Sequence, residues 1–147
     1  MDAAPTALRA TLKPLLGLLL AFPVALFSAA VVSDIAYLRT AEMQWSHFSA
    51  WLIVGGLVFG GLVVAWALID LLIVWRRAVR RRAAVFAILV VAMWVLALIN
   101  AFKHSQDAWS SVGAFGLTLS ILSALLALAA GWIAYSRPDA DVREIVR

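Results

Sequence analysis

The sequence predicts an all-α membrane protein, an antiparallel bundle of four transmembrane helices with both termini in the cytoplasm. Three observations carry that expectation. Of the 147 residues 65% are hydrophobic and only 14% charged, with a mean hydropathy of +1.00, too little charge to solvate a soluble domain of this length. Four apolar stretches are each long enough to cross the ~30 Å hydrocarbon core of a bilayer. Finally, ten of the twelve Lys and Arg fall in alternate gaps: the amino-terminal segment, the connection between spans two and three, and the tail. Basic residues concentrate on the cytoplasmic side, so these three segments share that side.

The first element is a short amphipathic, interfacial lead-in over residues 1–14, with Arg9 and Lys13 at headgroup level. The first span follows at about 15–38. Its basic start, apolar run and Ser28-Ala29-Ala30 have the form of a cleavable signal peptide, and it is expected to remain as a span. Pro23 deletes one backbone hydrogen bond inside it, predicting a kink. Gly17, Ala21, Ala25, Ala29 and Ser33 recur every four residues, predicting a small-residue face that presses on another helix.

A connection of about nine residues, 39–47, makes the first two helices antiparallel neighbours. The second span, about 48–75, is the longest apolar run. Its 28 residues make a helix of roughly 42 Å, with Arg76, Arg77, Arg80, Arg81 and Arg82 just beyond, where guanidinium groups meet lipid phosphate. Gly55, Gly56, Gly60 and Gly61 include a G-x-x-x-G spacing that brings two backbones close. The third span is about 83–102 and the fourth about 112–135, the latter carrying Gly116, Ser120, Ala124, Ala127 and Gly131 as another small face. Residues 15–136 thus form the transmembrane domain and 137–147 a short cytoplasmic tail. Tyr37, Trp45, Trp51 and Trp109 fit an outer aromatic belt.

The net charge of +4 and pI near 10.4 are explained by this orientation pattern, so no nucleic-acid partner is implied. The absence of cysteine excludes a thiolate metal site, an iron–sulfur ligand or a covalent haem attachment from this chain. No phosphate-cradling loop, nucleophile elbow, Ser/His/Asp set or zinc-ligand spacing is present. An enzyme is therefore not the expected class, and no metal is expected.

The charged and amide residues inside apolar sequence are Asp34, Asp70 and Asn100. Asp34 lies about one turn inside the outer end of helix one, and Asp70 about one turn inside the inner end of helix two. Intramembrane carboxylates mark proton or ion relays, or else are satisfied locally. The local partners expected are Arg77, seven residues beyond Asp70 on the same face, and Asn100, at the depth of Asp34. A haem between facing imidazoles would have to use His47 and His104, both at outer loop boundaries. A quinone ring would have to sit between Trp66 and Trp94, near mid-membrane on helices two and three. Neither cofactor is the first expectation.

Phe22 to Tyr37 (FPVALFSAAVVSDIAY), Ala50 to Leu72 (AWLIVGGLVFGGLVVAWALIDLL), the Arg cluster, the Asn of ALINAF and Gly116 to Tyr135 (GLTLSILSALLALAAGWIAY) together carry a resemblance. The chain resembles, from about Leu15 to Tyr135, the bacterial inner-membrane family catalogued as domain of unknown function 2231. Members commonly show a His-Pro pair shortly before the Phe-Pro, and some a His near the start of the third helix. Here the first place reads Leu16-Gly17, and the third span, as bounded above, has no His. If those histidines serve a cofactor in relatives, the resemblance implies that this chain has lost the role.

The domain also occurs beside Rieske or cytochrome domains, which implies proximity to membrane electron transfer. The expectation is thus a non-enzymatic accessory or anchoring subunit, multi-pass in the bacterial inner membrane. Its partners would be the lipid bilayer and either the subunits of a larger membrane complex, a respiratory or electron-transfer one being the example to which the resemblance points, or further copies of itself. The alternatives are a quinone- or haem-binding electron-transfer subunit, and a small transporter or proton pathway using Asp34 and Asp70.

Overall fold

The computed structural model describes residues 3–73, 80–105 and 112–136. They form four α-helices: α1 (Ala3–Thr40), α2 (Met43–Ile73), α3 (Arg80–His104) and α4 (Ala114–Tyr135). No strand occurs among the described residues. The shortest helix has 22 residues, about 33 Å at 1.5 Å per residue, so all four are long and apolar enough to cross a membrane.

The helices run up and down in chain order. Each packs on its neighbours in sequence, and α4 returns to α1, closing a four-sided ring. Across the diagonals, α1 to α3 and α2 to α4, no Cα pair comes within 8 Å among the described residues. The end of α1 meets the start of α2, the end of α3 and the start of α4; at the other end, Tyr135 of α4 donates to the Gly17 carbonyl of α1 at 2.5 Å.

The interior is built on a heptad seam. The buried positions of α2 are Ser46, Ser49, Ile53, Gly56, Gly60, Val63 and Ala67, a strict alternation of three and four. In α1 the same alternation runs Leu20, Pro23, Phe27, Ala30, Asp34. An average spacing of 3.5 keeps one stripe facing the partner helices along the whole length. Steps of four do not: each advances about 40° around the helix, so the series from Gly17 to Ser33 sweeps roughly 160°. Accordingly Ala21 and Ala25 are exposed and Ala29 is half-buried. That series is therefore not a face packed within the chain. The small-residue series expected on α4, by contrast, is buried throughout: Gly116, Ser120, Ala124, Ala127 and Gly131.

Gly56 and Gly60 pack inside the chain. A Cβ on Gly56 would lie 2.3 Å from the Phe27 ring, and one on Gly60 would lie 3.4 Å from Met93 and 4.0 Å from Pro23. Gly55 and Gly61 flank them, against Leu26 and the Trp94 indole respectively. The missing side chains let the Phe27 ring sit directly on the α2 backbone. Pro23 is fully buried, and α1 continues as helix through it.

The first connection is shorter than the nine residues expected, because α1 carries on to Thr40 and α2 starts at Met43. Ala41 turns the chain with φ of 58°, a left-handed conformation at the end of a helix. The third helix is longer than expected and takes in His104.

Candidate functional site: a polar cluster across the bundle

Every helix contributes a polar seam residue to one end of the bundle. From the last residue of α1, Thr40, Asp34 is six residues back, about 9 Å; Ser49 and Ser120 lie equally far inside the starts of α2 and α4. The seam places these side chains in the centre because they occupy interior positions of the same three-four alternation that elsewhere holds Leu, Phe, Val and Ala. Asp34, Ser49, Asn100, His104, Ser120 and Ser123 are all buried.

The central contact is between α1 and α3. His104 Nε2 lies 3.0 Å from Asp34 Oδ1, with both side chains fully enclosed. This bond crosses a diagonal whose backbones do not touch. Ser120 Oγ donates to the other carboxylate oxygen, Asp34 Oδ2, at 2.5 Å, and accepts from Asn100 Nδ2 at 2.7 Å. His104 Nδ1 lies 3.0 Å from the carbonyl oxygen of Asn100, one turn back on its own helix. Ser49 Oγ stands 3.4 Å from the Ala30 carbonyl and 3.4 Å from His104 Nε2. Two buried atoms of the cluster, Asn100 Oδ1 and Ser123 Oγ, have no partner among the described residues.

A charge inside a lipid-enclosed bundle is tolerable when paired and hydrogen-bonded. Asp34 meets that condition, through a different partner from the one expected. Asn100 reaches it through Ser120, and the direct partners are His104 and Ser120. The sequence places His104 at an outer loop boundary just beyond the third span, and the structure carries α3 through it. Its signal was the seam spacing itself: Ala97, Asn100 and His104 continue the three-four alternation of α3.

The other candidates lie elsewhere. His47 is exposed and is not part of this cluster, so the two histidines are not brought together as facing ligands. Both ring nitrogens of His104 are engaged, by Asp34 and by the Asn100 carbonyl. Trp94 spends its indole N–H on the Leu57 carbonyl at 3.0 Å, tying α3 to α2, and Trp66 is half-buried. Among the described residues Phe22 stacks on Phe59, centroids 4.0 Å apart and interplanar angle 11°.

Asp70 is exposed near the far end of α2, and its expected partner Arg77 lies outside the described residues, as does Arg76. Arg80 opens α3 and Arg81 is exposed. Arg82 does more than face headgroups. Its Nη2 donates to the carbonyls of Ile133, at 2.6 Å, and Ser136. These are carbonyls at the end of α4, where a helix has no internal donors left, and a cation there also suits the helix dipole.

A search of curated proteins and a search of solved structures each found no match. A family model described as "Predicted membrane protein (DUF2231)" matches residues 12–134, which reaches into all four helices. The chain belongs to that family.

Proposed function

We propose that the chain is a small, non-enzymatic integral-membrane subunit that anchors or packs into a larger membrane complex. One observation carries this reading: the bundle interior is filled by its own side chains along its length. Leu20, Phe27, Ile53, Val63, Val90, Met93, Ala97 and Ala127 are buried, and the polar cluster is confined to one end. Asp34 and Asp70 are thus separated by packed apolar side chains rather than joined as the two mouths of a route. What such a bundle offers is its outer surface, where Ala21 and Ala25 leave α1 low in relief and open to close approach by another helix.

In this reading the bundle sits in the bacterial inner membrane with both termini cytoplasmic, as the distribution of Lys and Arg favours, and it carries no quinone, haem or metal of its own. The family's occurrence beside Rieske and cytochrome domains makes an electron-transfer assembly the first complex to examine. Native mass spectrometry of the protein, extracted in mild detergent from its own membrane, tests the proposal. Masses that include other chains, and their loss on Ala21→Leu with Ala25→Leu, are expected. A mass equal to the 15.9 kDa chain or a simple multiple of it would overturn it.

A further inference from the structure

The cluster at the end of the bundle holds one proton that belongs to no single residue. His104 Nδ1 faces a backbone carbonyl at 3.0 Å. A carbonyl only accepts, so Nδ1 carries its hydrogen. Nε2 of a neutral ring is then a bare lone pair, and it lies 3.0 Å from Asp34 Oδ1. An ionised carboxylate oxygen also only accepts, and two lone pairs do not close to this distance without a proton between them. Written as acid and imidazole, or as carboxylate and imidazolium, the pair is neutral and contains the same proton.

The surroundings are arranged for its departure as well as its presence. Oδ2 keeps the Ser120 hydroxyl as a donor in either state. The Ser49 hydroxyl stands at the same 3.4 Å from two acceptors, the Ala30 carbonyl and Nε2. With the proton in place, Nε2 has no lone pair free and Ser49 bonds Ala30. Once the proton leaves, Nε2 can accept the Ser49 hydroxyl. On the deep side, Asn100 Oδ1 and Ser123 Oγ are a buried acceptor and a buried hydroxyl without a partner among the described residues, which suits an ordered water.

We propose that this cluster is a proton-binding site reached from the end of the bundle where α3 finishes, with Ser49 as a two-position donor that stabilises the deprotonated state. Release transfers one proton from the Asp34–His104 gap to water and leaves a carboxylate and a neutral imidazole; uptake reverses it. The tie across the α1–α3 diagonal is exchanged for one between α2 and α3. Access from the opposite end is blocked by Phe27, Met93 and Ala97. Asp34 and His104 are the titratable groups that α1 and α3 bring to the cluster. Among the described residues α2 and α4 bring the hydroxyls of Ser49, Ser120 and Ser123, and buried Ser46 lies one turn from Ser49 toward the start of α2. Around it, Tyr37 turns its hydroxyl toward Met43, Lys103 is half-buried and His47 is exposed. The proposal stands independently of the accessory-subunit reading.

The test is a pH titration of the full chain in lipid nanodiscs, following the His104 ring nitrogens by ¹⁵N NMR and the Asp34 carboxyl by ¹³C NMR. One joint transition is expected, in which both signals move together and a single proton is exchanged per chain. Ser49→Ala should shift its midpoint, and Ser33→Ala, whose hydroxyl bonds Ala29 outside the cluster, should not. Signals that stay constant with pH, or that titrate separately, overturn the proposal from the wild-type protein alone. An unmoved midpoint in Ser49→Ala overturns the role of Ser49.

Discussion

A carboxylate or an imidazole enclosed alone in a lipid-facing bundle is costly, and together Asp34 and His104 are a hydrogen-bonded unit. Removing one partner leaves the other uncompensated. His104→Ala should therefore destabilise the fold by about 3–5 kcal/mol, measured by thermal or denaturant unfolding in detergent; a loss within a few tenths would mean that the pair bears little of the structure. A second residue-scale expectation concerns the two seam glycines. Gly56→Ala puts a methyl 2.3 Å from a Phe27 ring carbon, overpacking that costs about 1–3 kcal/mol, and Phe27→Leu in the same chain should recover part of it. At Gly60 the nearest atom would be 3.4 Å away, so Gly60→Ala should be tolerated in the same assay. Equal effects at both positions would contradict this packing.

Among the elements, α4 ends on a borrowed donor. Arg82 of α3 caps the carbonyls of Ile133 and Ser136, so Arg82→Ala should speed amide hydrogen exchange in the last turn of α4 and leave its middle unchanged; unaltered exchange there would show that the cap is idle. Helix number, order and type were legible from apolar length alone, because a span must be long and apolar whatever it packs against. The packing face was less legible. Hydropathy is high all round each helix, so it marks no stripe, and the every-four series of small residues in α1 was a tempting but geometrically drifting signal. The polar seam positions were the better guide: Ser46 and Ser49, Asn100 and His104, Ser120 and Ser123 each sit three or four apart. The site needed the fold because its partners lie 70 and 86 residues from Asp34 in sequence. Only helix order and depth bring them together.

At the scale of the whole molecule, the ring is closed by neighbouring contacts, and among the described residues the Asp34–His104 bond crosses it near one end. Four antiparallel helices put the start of α1 and the end of α4 at the other end. The chain contains no cysteine, so single cysteines can report sidedness directly. Thr40→Cys or Ser105→Cys should react with an impermeant thiol reagent on intact spheroplasts, and Ser136→Cys only after permeabilisation; the reverse pattern would invert the topology drawn from Lys and Arg.

The most direct measurement is the separation of His104 Nε2 and the Asp34 carboxyl carbon in lipid, by solid-state NMR dipolar recoupling of ¹⁵N-histidine and ¹³C-aspartate. A bundle crossed by this pair predicts a strong coupling, consistent with the 3.0 Å contact to Oδ1. Absence of any coupling between the two would place the histidine outside the bundle interior and contradict the polar centre described here.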